Sequence, residues 1–171
     1  MNPTDYILDS ALVLIDLLQI RERTLTNRSL IRPLVIVGIA VASYLNGFPT
    51  AGNDLILVTS TVLLGTAIGT ASGLTMFMRR GEDGTVLARA GWASAFFWVL
   101  GMGSRFAFIF WSTHMGASSI AHFSATNSIT SGEAWTVALL GMALGEVLSR
   151  TGVMAWRRQT LTSVPAAYAL A

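Results

Sequence analysis

The amino-acid sequence predicts an all-α integral membrane protein, a bundle of five transmembrane helices. Of its 171 residues, 53% are hydrophobic and only 12% are charged, and the mean hydropathy is +0.60. A soluble domain carries roughly twice that share of charged residues. Several apolar stretches also approach the roughly 20 residues that a helix needs to cross a hydrocarbon core. The partner that the composition predicts is therefore the lipid bilayer.

Composition and motifs also exclude several kinds of chemistry. The sequence has no cysteine, which excludes disulfides, thiolate catalysis and cysteine-ligated metals. All eleven basic residues are arginines, but the net charge is only +2, so we expect no nucleic-acid partner. The sequence contains no phosphate-binding loop, dinucleotide fingerprint, GxSxG or HExxH motif. His114 and His122 are eight residues apart, which matches no metal motif, and we predict neither a metal ion nor a cofactor.

The first predicted span covers about residues 5–20 and is short. It contains Asp9 and Asp16, which are seven residues apart and therefore lie on one helical face. Its uninterrupted apolar stretch is short for a crossing. An amphipathic helix lying at the membrane surface is the alternative, and it would leave four spans.

The second predicted span covers 33–48 and the third covers 55–78. Pro33 suits the first turn of a helix, because its missing N–H would have no partner there. The third span is the longest apolar run, and its glycines recur every four residues on one face. Such a face lets a second helix approach closely, either within this chain or in a homodimer or larger membrane complex. The glycines concerned are Gly65, Gly69 and Gly73.

The fourth predicted span, 91–111, is rich in aromatic residues and contains Arg105. Helical spacing places Trp98, Gly101 and Phe108 on the same face as this arginine. The guanidinium group is therefore expected to emerge beside a glycine and between aromatic rings.

The fifth predicted span, 135–156, carries a carboxylate at its centre. At about 1.5 Å per residue the helix is long enough to cross the bilayer, so Glu146 lies near the midplane. Arg150 follows one turn later on the same face and is a candidate partner for it. We expect residues 1–158 to form one transmembrane domain and 159–171 to form a flexible cytoplasmic tail.

The distribution of arginine predicts the orientation of the chain. Segments 21–32, 79–89 and 157–158 hold four, three and two arginines, which is nine of the eleven. The loops between them hold none. Under the positive-inside rule these segments are cytoplasmic. The N-terminus is then outside and the C-terminus inside a cell membrane.

Five charged residues are predicted to share the interior of the bundle. The alternating helix directions place Asp9 and Arg105 on the outer side of the midplane, Asp16 and Arg150 on the inner side, and Glu146 between them. An isolated charge at the centre of a bilayer costs at least about 2.5 kcal/mol, so mutual pairing is expected. One interpretation is that these pairs only hold the helices in register. The other is that an acid, foremost Glu146 and otherwise Asp16 or Asp9, exchanges a proton and is catalytic.

Part of the sequence resembles a known family. The basic connector ending in Arg32-Pro33, the glycine-rich third span and the stretch GWASAFFWVLGMGSR resemble the CcdC-like family of small bacterial membrane proteins, over roughly residues 20–111. That family has no established activity. The resemblance implies a multi-pass bacterial membrane protein.

A more distant likeness is to small integral-membrane terpene cyclases. Such enzymes use an acid within a helical bundle to protonate an epoxide or alkene, and aromatic rings to stabilise the carbocation. The likeness implies Glu146 as the acid, Phe97, Trp98 and Phe108 as the rings, and a lipophilic small molecule as substrate. Our leading interpretation is instead an accessory or assembly subunit of the plasma membrane, with the cyclase as the alternative.

Overall fold

The computed structural model of the chain describes residues 23–44, 50–81 and 83–163. Most of these residues are helical. The helices found within these ranges are α1 Asn27–Tyr44, α2 Asp54–Leu74, α3 Trp92–His114, α4 Ala117–Thr126 and α5 Gly132–Ser163. The strands are β1 Arg23–Thr24, β2 Phe77–Arg80 and β3 Val86–Arg89.

Three helices of the described part, α2, α3 and α5, are long and apolar enough to cross a membrane. The predicted helical class is therefore confirmed, together with three helices of membrane-spanning length. The second predicted span, 33–48, overlaps α1, which begins at Asn27. The first, 5–20, lies outside the described residues, as do Asp9 and Asp16.

Several elements end at other residues than the sequence predicted. The third span was expected to reach residue 78, but α2 ends at Leu74 and the chain enters β2 at Phe77. Helix α5 extends to Ser163, so the first residues of the predicted tail are helical. The polar stretch between the last two predicted spans contains a further helix, α4.

Helices α2 and α5 pack along the glycine face of α2. A side chain at Gly65 would collide with the backbone carbonyl of Met142, and one at Gly69 with the carbonyl of Glu146. At Gly73 an ideal Cβ would lie 3.0 Å from the Cβ of Val153. Small residues let two helix backbones approach this closely. The neighbour of the glycine face in this structure is therefore α5 of the same chain.

Helix α5 contributes glycines of its own to this contact. An ideal Cβ at Gly145 would lie 2.7 Å from the carbonyl oxygen of Val62 and 2.9 Å from the hydroxyl of Thr66. Gly141, one turn earlier, lies against the side chain of Val62. Gly141 and Gly145 are four residues apart, the same spacing as the α2 glycines.

The arginine-rich segments meet at one end of the bundle in a three-stranded antiparallel sheet of order β1-β3-β2. The connector between the third and fourth predicted spans forms the β2–β3 hairpin. In its turn the hydroxyl and the N–H of Thr85 donate hydrogen bonds to Asp83 at 2.8 and 3.3 Å. These bonds hold the pKa of the Asp83 carboxyl below its usual value, because they stabilise the charged form.

A small apolar core joins the sheet to the helices. Buried side chains of Leu25, Met76, Val86 and Ala88 pack together, and Met154 of α5 packs against them. Arg157 of α5 lies beside this core, and its Nη1 donates to the carbonyl oxygens of Gly73, Leu74 and Met76 at 2.9, 3.0 and 2.7 Å. A cation at these carbonyls stabilises the C-terminus of α2.

The opposite end of the bundle is held by uncharged loops and one acid. Asp54, the first residue of α2, is fully buried, and it accepts hydrogen bonds from the backbone N–H of Thr130 at 2.8 Å and from its hydroxyl. Asn53 donates from its side chain to the carbonyl oxygen of Asn127 at 2.9 Å. These bonds tie the start of α2 to the segment that leads into α5.

Candidate functional site

Glu146 lies near the middle of α5 and is only 4% exposed. It follows Gly145, which brings α5 against α2, and its own side chain points to α3. A buried carboxylate is unfavourable unless it is paired and hydrogen-bonded. The surroundings of Glu146 therefore decide what the residue can do.

Arg105 of α3 provides the pairing. Its Nη1 donates to Oε2 of Glu146 at 2.7 Å, and the two side chains are 17% and 5% exposed. A hydrogen bond between two charged groups at this distance is about twice as strong as a neutral one. The pair joins α3 to α5 in the interior of the helical bundle.

The carboxylate lies directly on the backbone of α3. An ideal Cβ at Gly101 would lie 2.6 Å from Cδ of Glu146, closer than real Cβ atoms come to such a group. Gly101 is one turn before Arg105, so the same face of α3 provides the space and the positive charge.

The backbone of Glu146 contacts a third helix. Its carbonyl oxygen would collide with a side chain at Gly69 in α2, and the hydroxyl of Ser149 donates to that oxygen at 3.2 Å. Glu146 therefore lies where α2, α3 and α5 meet. Both its carboxylate and its backbone contribute to helix contacts.

The structure places the other predicted charged residues as follows. Arg150 is half-buried one turn after Glu146 on α5, and its carbonyl oxygen lies near Gly73 of α2. The ion pair that Glu146 makes is with Arg105. Asp9 and Asp16 lie outside the described residues. Of the predicted network of five charged residues, the structure therefore describes Arg105, Arg150 and Glu146.

The three predicted aromatic side chains lie on α3, and two of them contact other aromatic rings. Phe108 stacks on Trp135 with ring centroids 5.2 Å apart, and Trp135 also donates from Nε1 to the hydroxyl of Ser124 at 3.1 Å. Trp135 is eleven residues before Glu146 on α5, a rise of roughly 16 Å. Phe97 meets Phe96 edge to face at 5.6 Å, and Trp98 is half-buried.

The two histidines lie on different helices, His114 at the end of α3 and His122 in α4. The ring of His114 stacks on Phe110 at 4.3 Å, and its Nδ1 lies 2.9 Å from the Phe110 carbonyl oxygen. His122 of α4 lines a shallow surface depression with Phe123 and Asn127.

An open groove of about 540 Å³ runs between α2 and α5. Its lining is apolar apart from Thr66 and Ser149, and it includes Gly141 and Gly145. The carboxylate of Glu146 lies instead on Gly101 of α3.

The buried Asp54 is a polar site that sequence reasoning missed. Asp54 is the first residue of α2. Its carboxylate, however, accepts a hydrogen bond from Thr130, which is 76 residues away in the sequence. The residues at the start of α2 do not indicate this contact, because its partner is distant in the sequence.

Comparison with protein-family models, with curated proteins and with solved structures finds no match to this chain. The chemistry of the site therefore rests on its geometry. A carboxylate that is buried, paired and in contact with two other helices is suited to fixing the positions of those helices.

Proposed function

We propose that this chain is a multi-pass membrane protein of the plasma membrane that acts as an accessory or assembly subunit. Its buried Arg105–Glu146 pair holds the helices in register. The observation that carries this proposal is the use of Glu146 in the packing of α2, α3 and α5. The carboxylate contacts Gly101 and Arg105, and the backbone carbonyl contacts Gly69.

The proposal includes five spans, with the N-terminus outside and the C-terminus in the cytoplasm. The gathering of β1, the β2–β3 hairpin and the Arg157 end of α5 at one end of the bundle supports this orientation. These elements belong to segments 21–32, 79–89 and 157–158, which hold nine of the eleven arginines. Arginine-rich loops are retained on the cytoplasmic side.

The alternative function, an acid-initiated terpene cyclase, has less support from the geometry. A proton donor must reach its substrate, whereas the Glu146 side chain is 5% exposed and bonded to Arg105. Cation-stabilising rings must also surround the reacting carbons. The Phe108–Trp135 stack involves a residue roughly three turns along α5 from Glu146.

A double-mutant cycle tests the proposal. Glu146→Gln should lower the free energy of unfolding by about 3 kcal/mol, because it leaves the Arg105 guanidinium buried without its charged partner. Adding Arg105→Met should restore much of this loss, because the unpaired charge is removed. The measurement is the thermal unfolding midpoint of the purified protein in detergent. Glu133→Gln, at an exposed site in the first turn of α5, is the matched control and should leave the midpoint unchanged.

The same variants separate the two functions. A Glu146→Gln protein that inserts and unfolds like the wild type, but no longer converts a lipophilic polyene or epoxide, would refute the scaffold role and support the cyclase. Destabilisation with rescue by Arg105→Met would support the scaffold role.

A further inference from the structure

One face of the small sheet points away from the protein core. In the register of the hairpin Phe77 pairs with Arg89 and Arg79 with Leu87, and paired residues share a face. The other face carries Met78, Val86 and Ala88, which pack on the apolar core. The hairpin therefore gives the outer face two arginines and two apolar side chains, namely Phe77, Arg79, Leu87 and Arg89, and Thr24 of β1, which pairs with Leu87, lies on the same face.

The outer face lies at the level where two membrane-length helices end. Phe77 follows the end of α2 by three residues, and its ring lies 2.6 Å from an ideal Cβ at Gly91, directly before α3. Phe77 is 69% exposed and Trp92, the first residue of α3, is 87% exposed. Aromatic side chains at the end of a membrane-spanning helix lie in the headgroup region.

Arginines on this face are placed to meet phosphate groups. Arg79 and Arg89 are both exposed, and Arg89 lies directly across the hairpin from Phe77. A guanidinium group binds a phosphate through two parallel N–H groups. Arg28 and Arg32, exposed and one turn apart near the start of α1, extend the positive charge at the same end of the bundle.

From this placement we infer that the outer face binds the headgroups of anionic phospholipids in the adjacent leaflet. The inference rests on the proposed membrane insertion. The positive charge of this exposed face is complementary to an anionic headgroup, and the exposed rings of Phe77 and Trp92 favour a lipid headgroup over a free phosphate ion. A free ion would gain nothing from contact with apolar rings, whereas a lipid brings its acyl region to them.

Lipid binding to the purified full chain tests the inference. Native mass spectrometry in detergent compares phosphatidylglycerol with phosphatidylcholine of the same acyl chains. The wild type should bind phosphatidylglycerol more tightly, and Arg79→Gln/Arg89→Gln should weaken that binding by roughly tenfold with little change for phosphatidylcholine. Arg80→Gln is the matched control: it removes the same charge from the next residue of β2, which pairs with the buried Val86 on the other face. This control should bind like the wild type.

Three outcomes would overturn the inference. They are equal binding of the two lipids by the wild type, an equal loss in Arg80→Gln, and full displacement of the lipid by millimolar glycerol phosphate, which would indicate a site for soluble phosphate. Resistance of the wild-type chain to alkaline carbonate extraction from membranes is measured in parallel. A chain that is extracted refutes both the proposed function and the inference, whereas a retained chain without lipid preference refutes the inference alone.

Discussion

The carboxylate of Glu146 occupies the space that a side chain at Gly101 would fill. Its Cδ lies 2.6 Å from where a Cβ of residue 101 would be, and Oε2 reaches Nη1 of Arg105 at 2.7 Å. The absence of a side chain at residue 101 lets α3 and α5 come close enough for the ion pair to form. The glycine and the pair are therefore parts of one contact.

Replacing Gly101 with alanine should weaken this contact. The added methyl group forces the carboxylate or the helix to shift, so we expect a loss of about 1–3 kcal/mol in unfolding free energy. The measurement is the unfolding midpoint in detergent, followed by intrinsic tryptophan fluorescence.

Gly103→Ala on the same helix is the matched control. Of the residues that the structure describes, none outside the local helix approaches within 4 Å of an ideal Cβ at Gly103. Alanine has the higher helix propensity, so this variant should be neutral or slightly stabilising. Equal effects of the two substitutions would contradict the close packing of Glu146 on Gly101.

The sequence could predict the parts of this fold that depend on local pattern. Apolar length predicted α2, α3 and α5, and the four-residue glycine repeat marked the face of α2 that meets another helix. The sheet was not predicted, because β2 and β3 are four residues each and are stabilised by packing on Met76 and α5. Strand preference depends strongly on such tertiary context.

The candidate site was predictable in its residues but not in its contacts. Helical spacing placed Gly101 and Arg105 on one face and identified Glu146 as a buried acid. The nearest arginine in sequence, Arg150, was the first expected partner, but the ion pair is made with Arg105, 41 residues away. Which arginine reaches an acid depends on how far two helices slide along each other, and a single sequence does not contain that offset.

Reporter fusions test the proposed orientation of the chain. A fluorescent protein or phosphatase joined after Arg80 or after Arg158 should report the cytoplasm, and one joined near Ser124 should report the exterior. The physical reason is that arginine-rich segments resist translocation. An exterior signal after Arg80 would reverse the orientation, and would place the outer face of the sheet at the opposite leaflet.

Arg157 should be necessary for the ordered end of α2. Its guanidinium group lies at the carbonyl oxygens of Gly73, Leu74 and Met76, where α2 stops and the chain turns into β2. Arg157→Gln should therefore cost about 2 kcal/mol, because carbonyls at a helix C-terminus lose a charged donor. Hydrogen exchange is the informative measurement, since the amide of Thr75, which donates to Ala71, should exchange faster as the last turn frays.

Arg32→Gln serves as the control for Arg157→Gln. Arg32 is exposed on α1, so its loss should change stability by less than about 0.5 kcal/mol and leave exchange at Thr75 as in the wild type. If Arg157→Gln lowers the unfolding midpoint while exchange at the end of α2 stays slow, then Arg157 acts through the packing of α5 on the sheet. If neither the unfolding midpoint nor the exchange rate changes, the three carbonyl oxygens do not need Arg157. The connection between α2 and β2 is then stabilised by the apolar core alone.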